Sequence, residues 1–149
     1  MCDTKATADN EAGRANREAV AVRVLGEGTN FLVESMPEKL FAQKTLRDRP
    51  DIVAETQKVI LGTGPAAVAG ASRGMAARPD VTELLSTISV PTLVVVGEED
   101  AISTVTEMSE MADRIPKATF RVISDAGHMS PLENPTEVNA AIHEFLAGL

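Results

Sequence analysis

The run Val90-Pro91-Thr92-Leu93-Val94-Val95-Val96-Gly97 limits what this chain can fold into more than any other segment. An unbroken apolar, β-branched stretch suits a strand covered on both faces, as in a parallel sheet, rather than the alternating strand of a one-sided sheet. Pro91 stands at its start, where a missing N–H costs least, and Gly97 ends it. The segments after it continue helix, strand, helix. Thr104 and Glu107 form a capping pair for a helix with Val105, Met108, Met111 and Ala112 inward and Pro116 beyond its end. A second strand is expected over Thr119–Ser124, and Val138, Ala141, Ile142, Phe145 and Leu146 have the spacing of an amphipathic helix. Crossovers this short imply parallel strands with helices packed on them, so this part of the chain is expected to be α/β.

Before residue 88 the signals are helical instead. Asp9 and Asn10 cap a helix with Ala12, Ala15, Ala19, Val22 and Leu25 on one side, stopping at Gly26 and Gly28. Thr29 caps a short helix with Phe31, Leu32 and Met36, which Pro37 ends. Lys44–Pro50 reads as a polar stretch, and Asp51 opens a helix through Leu61 with Ile52, Val53, Thr56, Val59 and Ile60 on one face. Pro65 suits the first turn of a helix carrying Val68, Ala71, Ser72 and Met75, and Asp80 with Glu83 caps a short one holding Leu84 and Leu85.

Composition narrows the function classes. The 149 residues can bury a core without disulfides or a metal, and Cys2, the single cysteine, has no internal partner. A reducing, cytoplasmic setting is therefore expected, with no apolar run near the ~20 residues of a membrane span and no signal peptide. Net charge is -8 with no basic cluster, and Trp 0, Tyr 0 and Phe 4 leave no platform for stacking bases. Nucleic acid and anionic membrane surfaces are thus excluded as expected partners. No cofactor and no metal are expected.

Two loops carry the residue types of catalysis, and each follows a strand. They are Gly97-Glu98-Glu99-Asp100 and Asp125-Ala126-Gly127-His128. Catalytic groups gather at the carboxyl ends of strands in an open parallel sheet. A carboxylate on one imidazole nitrogen fixes the tautomer and stabilises the imidazolium, leaving the other nitrogen as base. Gly127 is expected to let the backbone turn sharply and present His128. Asp100 could equally be a helix cap. His143 lies off the apolar face of its helix and is expected at the surface. Glu133 either hydrogen-bonds the His128 loop or merely precedes the Asn134-Pro135 turn, and the second is the expectation. Cys2 lacks the base-rich surroundings of a nucleophilic thiol and reads as a strand residue, buried or frayed.

The segments "ISVPTLVVVGEED" and "IPKATFRVISDAGHMSPLENPTEVNAAIHEFL" together resemble the C-terminal end of an α/β-hydrolase, over residues 88–146. The resemblance implies that Asp100 is the triad acid and His128 the triad base. It implies that residues 1–9 end a core strand and its exit loop, that 10–86 form a helical cap, and that 87–149 are the C-terminal part of the core. The flavour is that of cap-bearing esterases and enol-lactonases, which implies a small ester or lactone substrate for the full-length parent. That family's nucleophile elbow and oxyanion hole lie upstream of the cap, and this chain carries nothing that corresponds. The expected architecture is therefore a partial, truncated α/β-hydrolase, catalytically incomplete alone.

One literal match to the elbow pattern exists, Gly70-Ala71-Ser72-Arg73-Gly74, and the order Ser72, Asp100, His128 is the family's. An elbow needs a buried strand before it, however, and Thr63–Ala69 reads as a helix start. Ser72 is thus a weak nucleophile candidate, and a small self-contained serine hydrolase the lesser alternative. The other is a non-enzymatic interaction module. Without upstream strands, a sheet edge and helix faces lie open, so a homodimer or larger species is expected.

Overall fold

The computed structural model describes residues 1–149. A helical layer comes first: α1 (Glu11–Glu27), α2 (Asn30–Ser35), α3 (Pro37–Leu40), α4 (Gln43–Asp48), α5 (Pro50–Gly62) and α6 (Pro65–Ala76). A short 3₁₀ helix, Thr82–Thr87, leads into β1 (Thr92–Gly97), α7 (Val105–Asp113), β2 (Ala118–Ile123), α8 (Ser130–Glu133) and α9 (Pro135–Ala147).

β1 and β2 are parallel, in register from Thr92↔Ala118 to Gly97↔Ile123. On the other side of β1, Cys2 bridges Val95 in parallel, with Val95 N donating to Met1 O at 2.9 Å and Asp3 N donating to Val95 O at 3.0 Å. β1 is therefore paired on both edges, and Val94, Val95 and Val96 are all buried because both of its faces are covered as well. Strand alternation divides them between two cores. Val94 and Val96 pack with Met108, Met111 and Ala112 of α7, together with Ala6, Leu85 and Ile115. Val95 packs on the opposite face with Ile123, Ala126 and Val138 of α9. The expected capping box at Thr104 and Glu107 is present in both directions. β2 begins one residue earlier than expected, and its Arg121 and Val122 are exposed.

The helical layer corrects several readings. Asn10 caps α1 as expected, its side chain accepting from Gly13 N at 2.8 Å. The row Ala12, Ala15, Ala19, Val22 and Leu25 is exposed, and the buried residues of α1 are Ala21 and Val24. Alanine buries too little surface to choose a face. The choice falls to fit against α6, whose inward residues Ala69 and Ser72 are small, and to the Ser72 hydroxyl, which donates to Arg17 O at 2.9 Å. α2 stops before Pro37 as expected, its C-cap being Met36, and Pro37 then opens a further short helix, α3. The polar stretch after residue 43 is a helix, α4, and Val59 of α5 is exposed. No helix is long and apolar enough to cross a membrane.

Candidate active site

Asp100 is set by the turn that ends β1. Its amide donates to Gly97 O at 3.1 Å, while Oδ1 accepts from Ile102 N at 2.7 Å and Ser103 N at 2.9 Å. With one oxygen consumed by the backbone, Oδ2 is left to meet His128 Nδ1 at 2.9 Å. The carboxylate side chain is fully buried and the imidazole 23% exposed. Burial disfavours the Asp100 charge, but the bonds from His128, Ser103 and Ile102 outweigh it and hold the carboxyl below its ordinary value. The same bond to Asp100 raises His128 above the ordinary imidazole value against its own burial, and the Asp100 and Asp3 charges add to the rise. His128 Nε2 makes no hydrogen bond within the chain. One nitrogen oriented by a buried carboxylate and the other open is the arrangement of a general base.

The histidine loop leaves β2 through Asp125, whose φ of 54° lies in the left-handed region that aspartate tolerates better than most side chains. Gly127 has no positive φ. Its role is close approach rather than the sharp turn expected of it: a Cβ there would lie 2.8 Å from Ala42 N and 2.9 Å from Leu40 O. Gly97 is tighter still, since a Cβ there would lie 2.1 Å from Gly127 O. The two strand ends and the α3–α4 junction thus meet backbone to backbone.

Two further carboxylates hold this arrangement, Glu133, for which the sequence favoured the plainer role, and Asp3, which nothing in the sequence marked. Glu133 Oε1 accepts from Gly127 N at 2.8 Å and Met129 N at 3.3 Å, and its Oε2 accepts from Ala42 N at 2.8 Å. Glu133 therefore does bond the His128 loop, against expectation; its position just before Asn134-Pro135 was the only local signal. Asp3, at φ 42°, accepts from Gly97 N at 3.0 Å, Ser130 Oγ at 2.6 Å and Ser130 N at 3.3 Å. No local pattern could reveal it, because Ser130 is 127 residues away in sequence.

The remaining candidates lie apart from this pair. Ser72 sits inside α6 with its hydroxyl committed to Arg17 O, and a Cβ at Gly70 or Gly74 would meet nothing within 4 Å. It has neither the preceding strand nor the crowded glycines of an elbow. Cys2 is exposed, and burial of its sulfur together with the Asp3 charge pushes the thiol up to about 11, so it stays protonated at neutral pH. His143 is exposed on α9. No group of three or more His, Cys, Asp or Glu side chains could hold a metal ion.

Comparison with known proteins gives the following matches. The model of the Ndr family matches residues 4–149. 3-Oxoadipate enol-lactonase 1 of Acinetobacter baylyi is 33% identical over 117 residues, which cover 78% of this chain and 43% of that protein. An esterase from Thermogutta terrifontis superposes with a TM-score of 0.94 at 46% identity, covering 99% of this chain and 54% of that one. The enol-lactonase of Burkholderia xenovorans LB400 shares the fold, with a TM-score of 0.87 at 24% identity. The chain spans about half the length of the relatives it matches.

Proposed function

Because the chain belongs to the Ndr family, within the α/β-hydrolase superfamily, we propose that it is the acid- and base-bearing part of an enzyme that hydrolyses carboxylic esters or lactones. The observation that carries this reading is the 2.9 Å contact of Asp100 with His128 at the carboxyl ends of adjacent parallel strands, with Nε2 left open. Residues 1–9 are read as the end of a core strand and its exit, 10–86 as a cap, and 87–149 as core. The nucleophile and oxyanion hole are assigned to a segment outside these residues.

In the reaction, His128 Nε2 takes the proton of a serine hydroxyl as its oxygen attacks the acyl carbon. Asp100, already ionised, stabilises the imidazolium at Nδ1. His128 then returns the proton to the departing alkoxide. Water, deprotonated by the same nitrogen, attacks the acyl-enzyme; the bond from the acyl carbon to the serine oxygen breaks, His128 returns the proton to that oxygen, and the acid leaves. No cofactor enters.

Joining this chain to the part of the Thermogutta terrifontis esterase that it does not cover tests the assignment. The joined protein is expected to hydrolyse p-nitrophenyl acetate and to lose that activity on His128→Gln, while the chain alone shows no burst. A folded but inactive joined protein, or a burst from the chain alone that Ser72→Ala abolishes, overturns the reading.

Exposed apolar residues favour a second reading, self-association. Val22 and Leu25 on α1 are 58% and 51% exposed, and Val90 beside β1 is 62% exposed. Light scattering at micromolar protein is expected to give a dimer or larger species, and a monomer counts against it.

A further inference from the structure

The amides of Gly127 and Met129, on either side of His128, both donate to one oxygen of Glu133, and the other oxygen receives the amide of Ala42. Ala42 belongs to the α3–α4 junction of the helical layer, so each oxygen serves a different layer. The next residues continue the seam. Gln43 N donates to Glu99 Oε2 at 3.0 Å, and Lys44 Nζ pairs with Asp125 at 2.5 Å. The seam has no slack, because Gly127 already touches the backbone of residues 40–42.

We propose that Glu133 is a positioning residue that couples the placement of the Leu40–Ala42 segment to that of His128, so that a movement of the helical layer shifts the imidazole against Asp100. A side chain with two accepting oxygens suits the role. Three N–H groups converge on Glu133 and none of them can accept, so both of its oxygens must. A glutamine would turn an NH₂ group toward one set of donors. The charges that act on the imidazole are those of Asp100, Asp3 and Lys5. Glu133 reaches the ring through the backbone on either side of it.

The coupling rests on His128 being the base proposed above, and its test needs no turnover. In Glu133→Gln, an NMR titration is expected to show His128 falling toward the ordinary imidazole range by about half a unit, as its bond to Asp100 loosens. Amide exchange at Ala42, Gly127 and Met129 is expected to rise together by about tenfold. Glu133→Asp, which keeps the charge but is too short to span both sides, is expected to behave the same way. A folded Glu133→Gln protein in which His128 titrates as before, or in which exchange rises at Ala42 alone, overturns the proposal. If neither variant folds, the unsubstituted chain decides: equal protection of the Ala42 and Gly127 amides supports the coupling, and independent exchange overturns it. Failure of the joined esterase would remove the hydrolase reading and leave this titration to stand or fall by itself.

Discussion

Gly97→Ala is expected to destabilise the chain by about 3 kcal/mol, the upper end for overpacking. The added methyl would lie 2.1 Å from Gly127 O, 2.5 Å from Ala126 O and 2.8 Å from Ala126 C, all backbone atoms of the histidine loop. No side-chain rotamer can relieve such a contact, so β1 and the loop must part. The same movement breaks the approach of Asp100 to His128, because the acid turn begins at Gly97. Urea denaturation measures the loss, and the His128 titration should fall toward its ordinary value in the same variant. Gly70→Ala is the control. Its Cβ would enter open space inside α6, where alanine is expected to gain about 0.5–1 kcal/mol over glycine. Equal effects at the two glycines would refute the packing account.

Asp100→Asn is the second large effect. It replaces a charged, buried hydrogen bond to His128 with a neutral one while leaving an oxygen for the Ile102 and Ser103 amides, and should cost about 2 kcal/mol. The cost depends on pH. His128 is raised in the folded chain, so its contribution is complete below its ordinary 6.5 and fades as pH climbs through the raised value. Asp100 is lowered, so its contribution is present above its ordinary 3.8 and fades as pH drops through the lowered value. The gap between parent and Asp100→Asn should therefore be widest between 3.8 and 6.5 and should narrow on the alkaline side. Denaturation series at pH 5.5 and pH 9, values chosen about one unit inside and well above that window, test this; a gap that grows at the higher pH refutes the pairing. In the joined esterase the same substitution should lower kcat about 10⁴-fold, since asparagine holds the wrong imidazole tautomer.

What the sequence made legible is what local chemistry dictates. β1 announces itself because burial on both faces demands an apolar run, and α7 because its capping box lies within four residues. Asp100 and His128 were legible as strand-end residues with the spacing of a known family. α4 was not, because its N-cap is Ala42, which has nothing to accept with. The orphan amide of Gln43 is satisfied by Glu99, 56 residues on, and the carboxylate also suits the positive end of the helix. The buried side of α1 was misread for a related reason: helix period locates a stripe, but the partner's shape decides which stripe is used. Asp3 and the Ala42 side of Glu133 join segments that lie far apart in the chain, so no window of sequence contains both ends of those bonds; only Glu133's bonds to Gly127 and Met129 are local.

The pairing of Cys2 with Val95 has a consequence for how this architecture can vary. The chain leaves the sheet at Asp3 and rejoins it on the neighbouring strand at Thr92, so everything between is one excursion closed by a single ladder contact. Closure entropy grows only with the logarithm of loop length, about 0.6 kcal/mol for each doubling. The middle of the excursion could lengthen or shorten at little cost to the sheet, provided Ala6 and Leu85 kept their places in the core and the segment at residues 40–44 still met the core loops. The sequence of the excursion could then drift while Asp100 and His128 stay where the strands end.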